Sequence, residues 1–108
     1  MTPSDVLRAA AQHMQDREVT YDSPGGERSM DKTVTMFNTL MGADRFMTTE
    51  QGWLFMALLK IVRCQQGEFK ADNYEDLAAY AALAAEEGEA TRVLRDLRTG
   101  RVTEDVPF

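Results

Sequence analysis

The segment Trp53 to Cys64, WLFMALLKIVRC, constrains the fold more than any other part of the chain. It is twelve residues long, apolar almost all round, and interrupted only by Lys60 and Arg63. Thr48 and Gln51 precede it at the three-residue spacing of a capping box, and Gly67 follows it. Too short to span a bilayer, such a helix is expected to sit at the centre of a bundle, covered on several sides.

The flanking sequence supplies the cover. Thr2, Pro3 and Asp5 have the chemistry of a helix start, and Val6, Ala9, Ala10, His13 and Met14 recur at helical spacing, giving a first helix from Pro3 to about Glu18. Val19 to Gly26, with its Pro-Gly-Gly, reads as a loop. A second helix runs from Ser29 to Gly42 with Met30, Val34, Phe37, Leu40 and Met41 as its stripe. A fourth starts around Asp72, with Asp72 as its cap and Tyr74, Leu77, Ala78, Ala81 and Ala85 on one face. Gly88 is expected to end it, and Val93, Leu94 and Leu97 then mark a weaker fifth helix to about Arg98. No period-two alternation or Asn-Gly hairpin signal is present.

The expected fold is therefore an all-α, compact bundle of four to five helices around a central apolar helix. Residues 1–100 form a single helical domain and residues 101–108 an extended or disordered tail. The stripe Met30, Phe37, Met41, Trp53, Phe55 and Met56 is expected in the core. The breadth of apolar surface on the third helix, with seven methionines in the chain, favours a homo-oligomer.

Charge and cysteine content narrow the function. The formal net charge is −6, which disfavours direct nucleic-acid binding over a broad face. One cysteine excludes an internal disulfide and fits a reducing cytoplasm. With no basic, apolar leader and no apolar run of membrane length, neither a signal peptide nor a membrane span is expected. A lone His13 beside Cys64 gives no nucleophilic triad, and His13 reads as a core or boundary residue.

Two groups of polar residues remain as candidates. Asp72 and Asp76 lie one turn apart and could hold a magnesium ion, with Glu27 and Asp31 as further carboxylates. Asp72 suits a helix cap equally well, and Asp76 suits an ion pair. Lys60 and Arg63 stand three apart on the apolar helix, where a cation must snorkel, pair, or bind phosphate. Lys60 and Asp76 are expected to pair. The Gly-rich entry to the second helix, GGERSMDK, could bind an anion at backbone N–H groups but is not a Walker A loop.

Tyr21, the string ERSMDKTVTMFNTLMG, the LLKIVR helix and DNYEDLAAY together resemble a family of small all-α proteins of phages and prophages. The resemblance covers about residues 17 to 87. Asp22 follows Tyr21 where that family has glycine. It implies a phage or prophage accessory protein in the host cytoplasm that binds a host or phage protein, possible targets including a bacterial defence system. A more distant similarity is to the MazG-like nucleoside triphosphate pyrophosphohydrolases, in which paired carboxylate helices hold magnesium at the substrate's phosphates. Asp76 is the residue that matches, with Asn73 in place of that motif's glutamate; Glu86 and Glu87 are the adjacent glutamates, with Ala90 where the paired-glutamate motif has its third. This implies a magnesium-dependent nucleotide-binding protein as the alternative.

Overall fold

The computed structural model describes residues 1–20, 29–42 and 46–100. It contains four helices: α1 (Pro3–Thr20), α2 (Ser29–Met41), α3 (Thr49–Cys64) and α4 (Ala71–Thr99), with no strand among the described residues. The chain is an all-α bundle. Helices α3 and α4 form the central pair; α1 packs against α4, and α2 against α3. No helix among the described residues is long and apolar enough to cross a membrane. Glu27, the Pro-Gly-Gly loop, Tyr21, Asp22 and the tail 101–108 lie outside the described residues.

Local chemistry sets the helix ends. Asp5 N–H donates to Thr2 Oγ1 at 3.1 Å, and Thr2 N–H donates back to Asp5 Oδ2 at 2.8 Å, so α1 begins in a reciprocal cap. At α3, Gln51 N–H donates to Thr48 Oγ1 at 3.1 Å and Thr48 N–H donates to Gln51 Oε1 at 3.0 Å, the expected capping box. Helix α2 stops at Met41 because Gly42 takes φ 89°, a left-handed conformation that costs glycine least. Helix α1 continues two residues past the expected Glu18.

Two expectations about α4 are corrected. Lys70, not Asp72, is its N-cap, and Asp72 lies inside the first turn. Gly88 does not end the helix, so the expected fourth and fifth helices are one element of 29 residues. At about 1.5 Å per residue it spans about 43 Å. Gly88 is there for space: a Cβ on it would lie 2.7 Å from both Arg92 Nη1 and Glu50 Oε2. Arg92 Nη1 donates to the Gly88 carbonyl at 2.9 Å and to Glu50 Oε1 at 3.3 Å, which ties α4 to the start of α3.

The core is small. Met30, Val34, Trp53, Ala57, Tyr80, Leu83 and Ala84 form one buried cluster, edged by Met14, Met47, Met56 and Leu77. Trp53 stacks on Tyr80 with ring centroids 5.7 Å apart, and the Arg17 guanidinium lies 5.6 Å from the Tyr80 centroid. Gly52 lets α2 approach α3, since a Cβ there would meet Met30 Sδ at 2.5 Å and Val34 Cγ1 at 2.8 Å.

The burial differs from the sequence reading on three helices. Only the first half of α2 is buried, and Phe37, Leu40 and Met41 are exposed. On α4 the buried face is Ala79, Tyr80, Leu83 and Ala84, while Tyr74, Ala81 and Ala85 are not buried. The physical reason is that six alanines between positions 78 and 85 offer no periodicity to mark a face. Helix α3 buries Trp53 and Ala57 but leaves Leu54, Phe55, Leu58, Ile61 and Val62 exposed, so it is central yet covered on one side only.

Candidate functional site

Helix α4 carries three acids in its first two turns, Asp72, Glu75 and Asp76. Spacings of three and four residues put them on neighbouring parts of one side. Because α4 lies between α1 and α3, these acids are divided between two neighbours.

Asp76 turns to α3. Lys60 Nζ lies 2.9 Å from Asp76 Oδ2, with the two side chains 12% and 19% exposed. The expected pair is present. A lysine on the packed side of an apolar helix requires such a partner, because desolvation of an unpaired ammonium costs several kcal/mol. The pair cancels both charges, so neither side chain is left free to hold a phosphate or an ion.

Glu75 turns to α1. Its Oε1 forms a 2.8 Å hydrogen bond with His13 Nε2, with the glutamate side chain mostly covered and the histidine half-exposed. Asp72 joins them: one imidazole nitrogen, the Asp72 carboxylate and the Glu75 carboxylate offer ligand atoms all within 4.8 Å of one another. Three donors so placed fit a divalent cation. Carboxylates alone suit magnesium, whereas an imidazole nitrogen shifts the preference toward manganese or zinc. Sequence spacing therefore picked out Asp72 but paired it with Asp76, while the structure groups it with His13 and Glu75. The Asp72-x-x-Glu75 spacing is a local signal that sequence carries; the contribution of His13, 62 residues from Glu75, is not.

The other candidates lie elsewhere. Asp31 Oδ1 accepts a 2.8 Å hydrogen bond from Thr49 Oγ1 at the start of α3. Thr49 and Lys60 are eleven residues apart on that helix, about 16 Å along its axis, so Asp31 and Asp76 serve opposite ends of it. Arg63 is exposed and lines a shallow cleft of about 320 Å³ at the α3–α4 connection, with Gln66, Gly67, Glu68, Lys70 and Asn73. Lys60 is not among the residues lining that cleft. Tyr80, in line with Asp72 and Asp76 on α4, belongs to the core.

A larger groove of about 630 Å³ runs between α2 and the chain entering α3. The Asn38 amide fixes one wall: its Nδ2 donates to the Met47 carbonyl at 2.9 Å and its Oδ1 accepts from Met47 N–H at 2.8 Å. Val34, Phe46 and Met47 give the groove an apolar lining, and Asp31, Asn38 and four threonines contribute polar atoms. Phe46 is 73% exposed, and Leu40, in the last turn of α2, is 84% exposed.

No curated protein and no solved structure matches the chain. One family model does, described as a domain of unknown function, DUF6378, and it matches residues 5–88. That span holds His13, Lys60, Asp72, Glu75, Asp76 and the groove, and stops at Gly88 within α4. The chain belongs to the DUF6378 family.

Proposed function

We propose that this chain is a small accessory protein, of phage or prophage origin, that works in the host cytoplasm by docking onto a host or phage protein, with components of bacterial defence systems among the targets. The observation that carries the reading is the α2 groove with the exposed Phe46 in its lining and the exposed Leu40 next in sequence to its Thr39. Large apolar side chains grouped on a soluble surface favour a protein contact, because covering them removes apolar area from water. The acceptor lone pairs left on Asp31 and on the Thr35 and Thr39 hydroxyls, whose protons are donated within α2, give such a contact its directional bonds.

The test compares two tagged baits in bacterial lysate, the wild-type chain and the double variant Leu40→Glu/Phe46→Glu. Both positions are exposed, so the fold is retained, which circular dichroism checks. A protein retained by the first bait and lost by the second supports the reading. Identical sets of retained proteins would overturn it.

The His13, Asp72 and Glu75 group favours a second reading, metal-dependent nucleotide binding. These side chains would hold a divalent cation, and such an ion when bound polarises phosphate oxygens. Arg63 and Lys70, both exposed in the cleft at the α3–α4 connection, would meet phosphate charge, since Lys60 is committed to Asp76. Thermal melts with nucleoside triphosphates, with and without magnesium or manganese, separate the readings: stabilisation by nucleotide that requires the metal supports this one.

A further inference from the structure

The open face of α3 is built to meet itself. Its outward residues are Gln51, Leu54, Phe55, Leu58, Ile61 and Val62, followed by the C-cap Gln65, all exposed. Their spacing is symmetric about Leu58. Reversing the helix direction exchanges Gln51 with Gln65, Leu54 with Val62, and Phe55 with Ile61, and returns Leu58 to itself. Every exchange sets an apolar residue on an apolar one, or an amide on an amide. An interface with twofold symmetry makes this demand, since residue i must meet j wherever j meets i.

Charge and area agree with a second copy as the occupant. Two chains of net charge −6 repel one another, so they can approach closely only through a neutral face. Between Gln51 and Gln65 the charged residues are Lys60, turned away to Asp76, and Arg63, which lines the cleft at the α3–α4 connection. The area such a contact would cover is the apolar stripe itself, Leu54, Phe55, Leu58, Ile61 and Val62, each 45–60% exposed.

We propose that α3 pairs antiparallel with α3 of a second copy, on a twofold axis passing at Leu58, to form a homodimer. The pairing covers Leu54, Phe55, Leu58, Ile61 and Val62 and leaves the α2 groove, with Leu40 and Phe46, outside the interface. It therefore stands or falls independently of the proposed function.

Sedimentation equilibrium on the full chain is expected to give twice 12.2 kDa. Leu58→Asp puts two carboxylates on the axis and should weaken association by about 30-fold or more, as loss of a central anchor does. Because Leu58 is 59% exposed, the helical circular dichroism of that variant should be unchanged. Oxidative cross-linking in a Cys64→Ser background fixes the direction. Leu58→Cys alone should form a covalent dimer. Gln51→Cys alone should not, whereas Gln51→Cys combined with Gln65→Cys should. A monomer mass up to millimolar concentration overturns the proposal, as does ready cross-linking of Gln51→Cys alone, which marks a parallel arrangement.

Discussion

Lys60 Nζ and Asp76 Oδ2 lie 2.9 Å apart, and this ion pair joins the two central helices where both side chains are largely withdrawn from water. Its position explains how an apolar helix accommodates a lysine at its packed side. It also removes the two residues that sequence spacing had offered to phosphate and metal.

Asp76→Asn leaves the Lys60 ammonium poorly compensated. Stability to urea should fall by about 1–3 kcal/mol. Replacing both residues together, Lys60→Met with Asp76→Leu, should recover most of the loss, because no charge is then stranded. Equal losses in the single and double variants would show that the pair has no structural role.

The two helical glycines should respond differently to alanine. At Gly52 the new methyl group meets the buried Met30 and Val34 side chains, so Gly52→Ala should cost about 1–3 kcal/mol from overpacking. At Gly88 it meets the ends of Arg92 and Glu50, which can swing into solvent, and the roughly 1 kcal/mol gained in helix propensity offsets the lost contact. Gly88→Ala should therefore be near neutral in chemical denaturation.

Leucines on opposite sides of the α3–α4 pair should separate core from surface. Leu83→Ala removes a buried side chain and should cost about 2–5 kcal/mol. Leu58→Ala, measured at a dilution where copies are dissociated, should cost about 0.5 kcal/mol or less. At high concentration its effect should grow, because the same side chain is then covered. A concentration-independent loss at Leu58 as large as that at Leu83 would contradict the open face of α3.

The metal group gives a fourth outcome. Manganese at about a hundredfold over its dissociation constant should stabilise the wild-type chain by about 2.7 kcal/mol. His13→Ala and Asp72→Asn should each abolish that increment in thermal melts, while Asp76→Asn should keep it. No shift of the wild-type melting temperature with manganese, zinc or magnesium would reduce the His13–Glu75 contact to a helix-packing bond.

The sequence by itself determined the helices and most of their ends. Capping residues act over three positions, as at Thr2 with Asp5 and Thr48 with Gln51, and a left-handed glycine such as Gly42 acts on its own residue. It also determined the Lys60–Asp76 pair, since a lysine in an apolar run must find an acid and DNYEDLAAY holds the nearest acids on a packed helix. What it did not determine was which face each helix buries. Alanine-rich α4 carries no stripe, and α3 is apolar all round, so periodicity could not tell a covered side from an open one. The continuity of α4 through Gly88 goes with its packing along α3, where Arg92 bonds both the Gly88 carbonyl and Glu50. The meeting of His13 with Asp72 and Glu75 depended on how α1 lies across α4. Both are contacts between residues far apart in the chain. Only tertiary packing decides them, because local propensity carries no information about which helix will be the neighbour.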